Sequence, residues 1–218
     1  LEFYREGMTD VEYRTEFREF FMIEPETREE IQNSFSIGPD GVYIVSNIAL
    51  YKLRFNDETK QIEMDPKWEL TFREVGDQIY PNDGTQKKGQ LNDGSGTTPT
   101  LMDDRFVIIA DNDFGQINLN IYSQEDGHLV NRFKLFAPDS SACENSVVAY
   151  RNSLMIGNTY NYVDPFDFND TPGGIDRFDF NPETGKFEKV ENWPTEFIDA
   201  KTATPKMSTE TGVIYVYN

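Results

Sequence analysis

The sequence has very few of the residues that bind soft metals or form covalent cross-links. Its 218 residues include one cysteine, Cys143, and one histidine, His128. A single cysteine excludes an internal disulfide, and one cysteine with one histidine is too few for a closed zinc site. The cysteine count is compatible with the cytosol, the periplasm or the exterior of a bacterium.

Long apolar runs and basic residues are also scarce. No run reaches eighteen apolar residues and the mean hydropathy is −0.63, so no membrane span is predicted. Twenty Lys and Arg against thirty-nine Asp and Glu give a net charge of −19. Such a surface repels phosphate backbones and anionic lipids, so nucleic acid is not expected as a partner. The charge favours solubility, and attraction of a basic partner or a cation is the alternative.

What the sequence does contain is a series of short β-strands, clearest around residues 89–112. A glycine-rich turn and Pro99 lead into an extended chain. Residues 106–110 form a short apolar run between aspartates, which predicts a strand covered on both faces. Residues 117–122 then alternate between apolar and mostly polar side chains, which predicts a strand with two unlike faces. With a turn at 125–127 and a strand at 129–136, this region predicts one four-stranded blade of a β-propeller.

The same pattern recurs along the chain and predicts an all-β fold of antiparallel four-stranded blades. We expect a single propeller domain or a fragment of one, with blades at residues 34–72, 97–136, 145–197 and 203–218. Residues 1–21 form either a short amphipathic helix or a pair of strands, and as strands they would complete the last blade. About three and a half blades leave the ring open, so further blades would lie outside this sequence. The chain begins at Leu1 with no signal peptide, which predicts removal of a leader or a longer parent chain.

Within the first blade, the sequence pattern places the fourth strand at residues 68–72. Trp68 and Trp193 then occupy matching fourth-strand positions, and we interpret both as packing between blades.

Several segments together resemble a known family. In chain order these are KKGQLNDGSGTTPTLMDDRFVIIADN, SACENSVVAY, GNTYNY, PGGIDRFDF and PKMSTETGVIYVYN. They resemble an uncharacterised family of bacterial proteins with β-propeller repeats like those of pyrroloquinoline-quinone dehydrogenases, from about residue 33 to the end. The resemblance implies a propeller, and it does not imply the quinone cofactor.

Oxygen ligands are better supplied than nitrogen or sulfur ligands. Five acidic and amide residues fall near the ends of inner strands, which converge on the channel of a propeller: Asp111, Asn112, Glu144, Asn145 and Asn158. Such oxygens suit Ca²⁺, so these five residues are candidate ligands of a calcium ion. The alternative, which we favour, is that they cap turns by bonding to nearby backbone. His128, in a hairpin turn, and Cys143, with no histidine nearby in sequence, are not expected to be catalytic.

These patterns lead to three hypotheses about function. The first is a secreted or periplasmic propeller that binds a small molecule or a protein at the mouth of its channel. The second is a calcium-assisted hydrolase of lactones or esters, in which the metal polarises a carbonyl. The third is a quinone-dependent dehydrogenase, for which neither tryptophan is well placed to stack on a quinone.

Overall fold

Fourteen strands and one short helix make up the part of the chain that the computed structural model describes, residues 29–69, 87–91, 94–162, 173–191, 193 and 204–216. Within these ranges the strands form three four-stranded antiparallel sheets and one antiparallel strand pair. Each sheet is a meander in which consecutive strands are neighbours. The predicted all-β class is therefore confirmed, and these strands belong to one unit, Ile31–Asn218.

The strands follow the predicted segments closely. Sheet I consists of β1 (Ser36–Gly38), β2 (Gly41–Val45), β3 (Leu50–Asn56) and β4 (Gln61–Met64). Sheet II consists of β5 (Thr100–Met102), β6 (Phe106–Ala110), β7 (Asn118–Ser123) and β8 (Leu129–Lys134). Sheet III consists of β9 (Val148–Tyr150), β10 (Ser153–Gly157), β11 (Ile175–Asn181) and β12 (Lys186–Lys189). Pair IV consists of β13 (Lys206–Met207) and β14 (Ile214–Tyr215).

The turn between the third and fourth strands is built in the same way in sheets I and III. The sequences are NDETK from Asn56 and NPETG from Asn181. In each turn the asparagine side chain accepts hydrogen bonds from the two backbone N–H groups two and three residues later. The fifth residue, Lys60 or Gly185, has a positive φ. This local bonding closes both hairpins at the same point.

The prediction of a strand at residues 68–72 is wrong where the structure describes it. The fourth strand of sheet I is β4, directly after the turn, and Trp68 lies in the helix α1 (Pro66–Glu69). Asp65 caps this helix, because its carboxylate accepts a hydrogen bond from the backbone N–H of Lys67 at 3.1 Å. Pro66 suits the first helical position, where no N–H donor is needed. The Asp-Pro pair therefore starts a helix. The aromatic residues of the segment favour a strand instead, which explains the wrong prediction.

The sheets stack face to face in chain order. In β6, Val107 and Ile109 pack against sheet I, whereas Ile108 and Ala110 pack against sheet III. The strand is thus buried on both faces, as its apolar run predicts. In sheet III, Leu154 and Ile156 belong to the core shared with sheet II, whereas Met155 between them belongs to a cluster with residues of pair IV. The alternation of side chains along each central strand therefore supplies two separate cores.

Both tryptophans lie four residues after a fourth strand and pack between neighbouring layers. Trp68 contacts the core between sheets I and II. Trp193, like Met207 and Ile214 of pair IV, packs against Met155 and Ile175 of sheet III. Both residues therefore pack where two layers meet, although neither lies in a strand, and that these layers are propeller blades stays a prediction.

Sheets I and II are also joined through the backbone and side chain of Gln124. The Nζ of Lys52 donates to the Gln124 carbonyl oxygen at 2.8 Å, and the Nε1 of Trp68 donates to the same oxygen at 3.2 Å. The Tyr43 hydroxyl lies 3.4 Å from the Gln124 side-chain oxygen. Lys52 is buried and also pairs with Asp40 at 2.7 Å. A buried cation with several partners is tolerated, so these bonds fix the contact between the two sheets.

The first strands of successive sheets lie beside one another, in the order β1, β5, β9 and β13. Two of these contacts contain equivalent hydrogen bonds. The hydroxyl of Ser36, the first residue of β1, donates to the carbonyl of Pro99, which precedes β5. The hydroxyl of Thr100, the first residue of β5, donates at 2.7 Å to the carbonyl of Val147, which precedes β9. The contact between sheets I and II and the contact between sheets II and III are therefore built in the same way.

Some predictions fall outside the described residues. These concern residues 1–21 and residues 70–72 of the strand predicted at 68–72. Among the helices that the structure describes, none is long and apolar enough to cross a membrane.

Replacing Trp68 with phenylalanine tests the join at Gln124. The Trp68→Phe variant keeps an aromatic ring against Tyr43, whose centroid lies 5.6 Å away, but loses one donor to the Gln124 carbonyl. We expect the free energy of unfolding to fall by about 1 kcal/mol in urea titrations, the usual net value of one hydrogen bond. Trp193→Phe is the matched control, because Nε1 of Trp193 has no hydrogen-bond acceptor in the described part of the chain. Equal losses of unfolding free energy in both variants would contradict a stabilising hydrogen bond from Trp68 to Gln124.

Candidate functional site

The five predicted ligands lie in three segments that meet beside sheets II and III. Asp111 and Asn112 follow β6, and Asn158 follows β10 in the equivalent position. Glu144 and Asn145 lie in the loop before β9. The loop and the end of β10 are joined by a hydrogen bond from the Thr159 N–H to the Ala142 carbonyl at 2.9 Å. The three segments therefore lie close together, whereas their convergence on a propeller channel stays a prediction.

Asp111 is fully buried, and its carboxylate faces β7. One oxygen accepts hydrogen bonds from the backbone N–H and the side-chain amide of Asn118, at 2.8 and 3.0 Å. The other oxygen accepts from the side chains of Asn118 and Asn120, at 2.8 and 2.9 Å. Burial raises the pKa of Asp111, while these hydrogen bonds act in the opposite direction. The carboxylate thus holds the end of β6 to the neighbouring strand.

Asn112 and Glu144 are brought into direct contact. The side-chain amide of Asn112 donates to Glu144 Oε1 at 3.0 Å, and the same oxygen accepts from the backbone N–H of Leu91 at 2.8 Å. The Asn112 side-chain oxygen accepts from the N–H of Cys143 at 3.1 Å. Gly96 permits this approach, since a Cβ there would lie 2.1 Å from Glu144 Oε2. Together these bonds join three chain segments.

Asn158 and Asn145 face other partners. The Asn158 side-chain oxygen accepts from the N–H groups of Ala142 and Tyr160, at 3.2 and 3.1 Å, and its amide donates to the Ser140 carbonyl at 2.9 Å. The Asn145 side-chain oxygen lies 3.4 Å from the Thr204 hydroxyl. Asn145 is therefore turned away from the Asn112–Glu144 pair, and Asn158 is a turn cap.

A buried cation that the sequence analysis missed lies among these groups. The Nζ of Lys87 donates to the carbonyls of Asp113 and Ser141, at 2.5 and 3.2 Å. Desolvation lowers the pKa of Lys87 to about 8, and the charges of Asp111, Asp113 and Glu144 oppose that shift. Lys87 belongs to a polar loop whose burial has no signal in the local sequence.

Neither of the two residues considered for nucleophilic chemistry is placed to act in it. Cys143 is fully buried, and burial raises the pKa of its thiol to about 12, so the thiolate is scarce near neutral pH. Its Sγ lies 3.0 Å from the Asn145 carbonyl. His128 lies in the turn between β7 and β8, as predicted, where its Nδ1 is 2.6 Å from Asp126. Both side chains are accounted for by local contacts.

The predicted calcium ligands are engaged in hydrogen bonds within the protein. Calcium takes six to eight oxygen ligands. Here the side-chain oxygens of Asp111, Asn112 and Asn158 accept hydrogen bonds from N–H donors. In the ranges that the structure describes, no group of three or more His, Cys, Asp or Glu side chains is placed to hold a metal. The geometry favours the alternative of turn capping, and the calcium site stays a prediction.

Comparison with known proteins adds little about activity. No protein-family model matches the sequence. An uncharacterised protein of Archaeoglobus fulgidus is 31% identical over 90 residues, which are 39% of this chain. These residues are 15% of the archaeal protein, so the alignment spans a small part of a much longer relative.

The Asp111→Asn variant tests the role of the buried carboxylate. The substitution keeps the shape of the side chain but turns one acceptor into an N–H donor facing the amides of Asn118 and Asn120. We expect the free energy of unfolding to fall by about 2–3 kcal/mol, because buried donors then lack an acceptor. The control is Asp113→Asn, whose carboxylate is half-buried and lies 3.3 Å from Lys134. Equal stabilities of the two variants in urea would contradict this role.

The pH dependence of stability tests the burial of Lys87. The pKa of Lys87 is about 8 in the folded chain and about 10.5 in an unfolded chain. Between these values the unfolded chain binds more protons, so the stability of the wild type rises with pH relative to Lys87→Met. Urea titrations of both proteins from pH 7 to 11 measure the difference. Parallel curves across this range would show that the amine is not desolvated.

Proposed function

We propose that this chain is a β-propeller, or part of one, and that it acts as a secreted or periplasmic binding scaffold. The observation that carries the proposal is the repeated contact between first strands, with equivalent hydrogen bonds from Ser36 to Pro99 and from Thr100 to Val147. In a propeller the first strand of each blade lines the central axis, so neighbouring first strands contact one another. The resemblance to propeller repeats supports the same architecture.

The outer face of sheet I gives further support. The strand register places one apolar row across all four strands, Ile37, Val42, Leu53 and Met64. Ile37 is 71% exposed and the other three are half-buried. In a propeller a neighbouring blade covers such a face.

A binding role is favoured over metal-assisted catalysis because the candidate metal ligands have structural partners. The Asp111 carboxylate, the Asn112 amide and the Asn158 amide each bond to neighbouring segments. Catalysis requires groups that meet the reacting atoms. The calcium-assisted hydrolase is kept as the alternative prediction, and the quinone-dependent dehydrogenase as a weaker one.

Calcium provides the test that separates these functions. We expect the thermal midpoint to be the same with a chelator and with millimolar Ca²⁺, because a ligand stabilises a protein only when it binds the native state. We also expect Glu144→Gln and Asn145→Ala to lower stability modestly without changing any response to calcium. A rise of several degrees with Ca²⁺, abolished by Glu144→Gln, would establish the hydrolase hypothesis instead. Assays with lactones and aryl esters test the hydrolase hypothesis directly. The near-ultraviolet absorbance of the purified protein tests for a bound quinone.

A further inference from the structure

A cavity of about 390 Å³ lies between sheet III and pair IV. Met155 of sheet III and Met207 and Ile214 of pair IV supply apolar lining, while Arg177 and Trp193 supply polar groups. The volume is within the range of small-molecule sites, which combine an apolar lining with a few fixed polar groups. The cavity is separate from the polar residues around Asp111.

Arg177 is held rigidly in this cavity. Its Nε and Nη2 each bond to a carboxylate oxygen of Asp179 at 2.9 Å, and Nη2 also bonds to the Ser153 hydroxyl at 3.2 Å. Its guanidinium carbon lies 4.8 Å from the ring centroid of Trp193. Nη1 makes no hydrogen bond within the described part of the chain. The fork is therefore fixed on one side and has donors to spare on the other.

The indole N–H of Trp193 is a second, independent observation about this cavity. Its Nε1 is buried, and among the described residues it has no hydrogen-bond acceptor. Indole N–H groups only donate, and buried donors in native proteins almost always have a partner. A small shift of the ring would expose this N–H to the cavity that Trp193 lines, where a ligand oxygen would supply the acceptor. Trp68, by contrast, already donates to Gln124.

The charge of the cavity contrasts with that of the whole chain. Arg151 also lines the cavity, lies 5.2 Å from the Tyr150 ring centroid, and has no ion pair within the described ranges. Among the described residues that line the cavity or bond to its lining, two guanidinium groups and the carboxylate of Asp179 leave one net positive charge, in a chain of net charge −19. The local charge selects an anion, and the overall negative field disfavours a dianion.

We propose that this cavity binds a small monocarboxylate with an apolar body. The carboxylate accepts from Arg177 and Trp193, as guanidinium groups commonly bind carboxylates, and the apolar body lies against Met155, Met207 and Ile214. This inference rests on the proposed binding function, and it names the site and the chemical class of the ligand.

Nuclear magnetic resonance of the two indole N–H groups tests the proposal. Each tryptophan gives one indole signal, and Trp193→Phe assigns both. Titration with benzoate, phenylacetate and hexanoate is expected to shift the Trp193 signal saturably and to leave the Trp68 signal in place. The matching neutral amides are expected to shift neither signal, and phenyl phosphate is expected to bind more weakly than benzoate.

Variants locate the site. Arg177→Gln and Arg151→Gln are expected to weaken binding of the responding carboxylate, Arg177→Gln by about tenfold or more because it removes a charged hydrogen-bond donor. Arg105→Gln is the matched control, since Arg105 also stacks on an aromatic ring, Phe180, at 4.6 Å, but does not line the cavity. Calorimetry measures binding in Trp193→Phe, where the indole signal is absent, and weaker binding is expected there too.

Three outcomes would overturn the proposal: no response of Trp193 to any of the three carboxylates, equal responses to the amides, or tighter binding of phenyl phosphate. Failure here is distinguishable from failure of the proposed function. A calcium response at Glu144 overturns the binding scaffold and leaves the cavity result standing, whereas loss of the carboxylate response alone overturns only this site.

Discussion

The structure depends on the burial of central strands on both faces. In β6 the side chains alternate between two cores, so one strand stabilises its contacts with sheet I and with sheet III together. Each fully buried isoleucine contributes about 1.5–3 kcal/mol relative to an exposed one. A strand buried in this way has no solvent-facing side, so every polar group at its ends needs a partner within the protein.

Most polar groups around Asp111 meet that requirement, although among the described residues the buried Asn118 Oδ1 and Asn145 Nδ2 have no hydrogen-bond partner. The side chains of Asn118 and Asn120 lie on buried positions of β7 and donate to the carboxylate that follows β6. Asn112, Glu144 and Asn158 connect the neighbouring loops in the same manner. Residue types that resemble a cation site in the sequence are thus explained by the hydrogen bonds that the stacked sheets need.

The sequence predicts much of the fold because its signals are local. The apolar run of β6 and the acidic hairpins after Asn56 and Asn181 each depend on neighbouring residues only. The sequence pattern places Trp68 in a strand because aromatic residues favour strands, whereas the capping pair Asp65-Pro66 starts a helix there. The site was harder to predict, since polar residues that alternate along β7 indicate a solvent face unless the burial of sheet II on both sides is known. The burial of Lys87 and the meeting of Arg177 with Trp193 depend on loop positions that local patterns do not encode.

The meander order of the sheets bears on how the chain folds. Within each sheet the paired strands are close in sequence, so pairing closes only short loops. The bonds between first strands join residues much farther apart, 63 positions from Ser36 to Pro99 and 47 from Thr100 to Val147. The entropic cost of closing long loops therefore arises when the sheets stack, and not when the strands within a sheet pair. We expect each sheet to form as a local unit, with the slow step being the docking of one preformed sheet on the next.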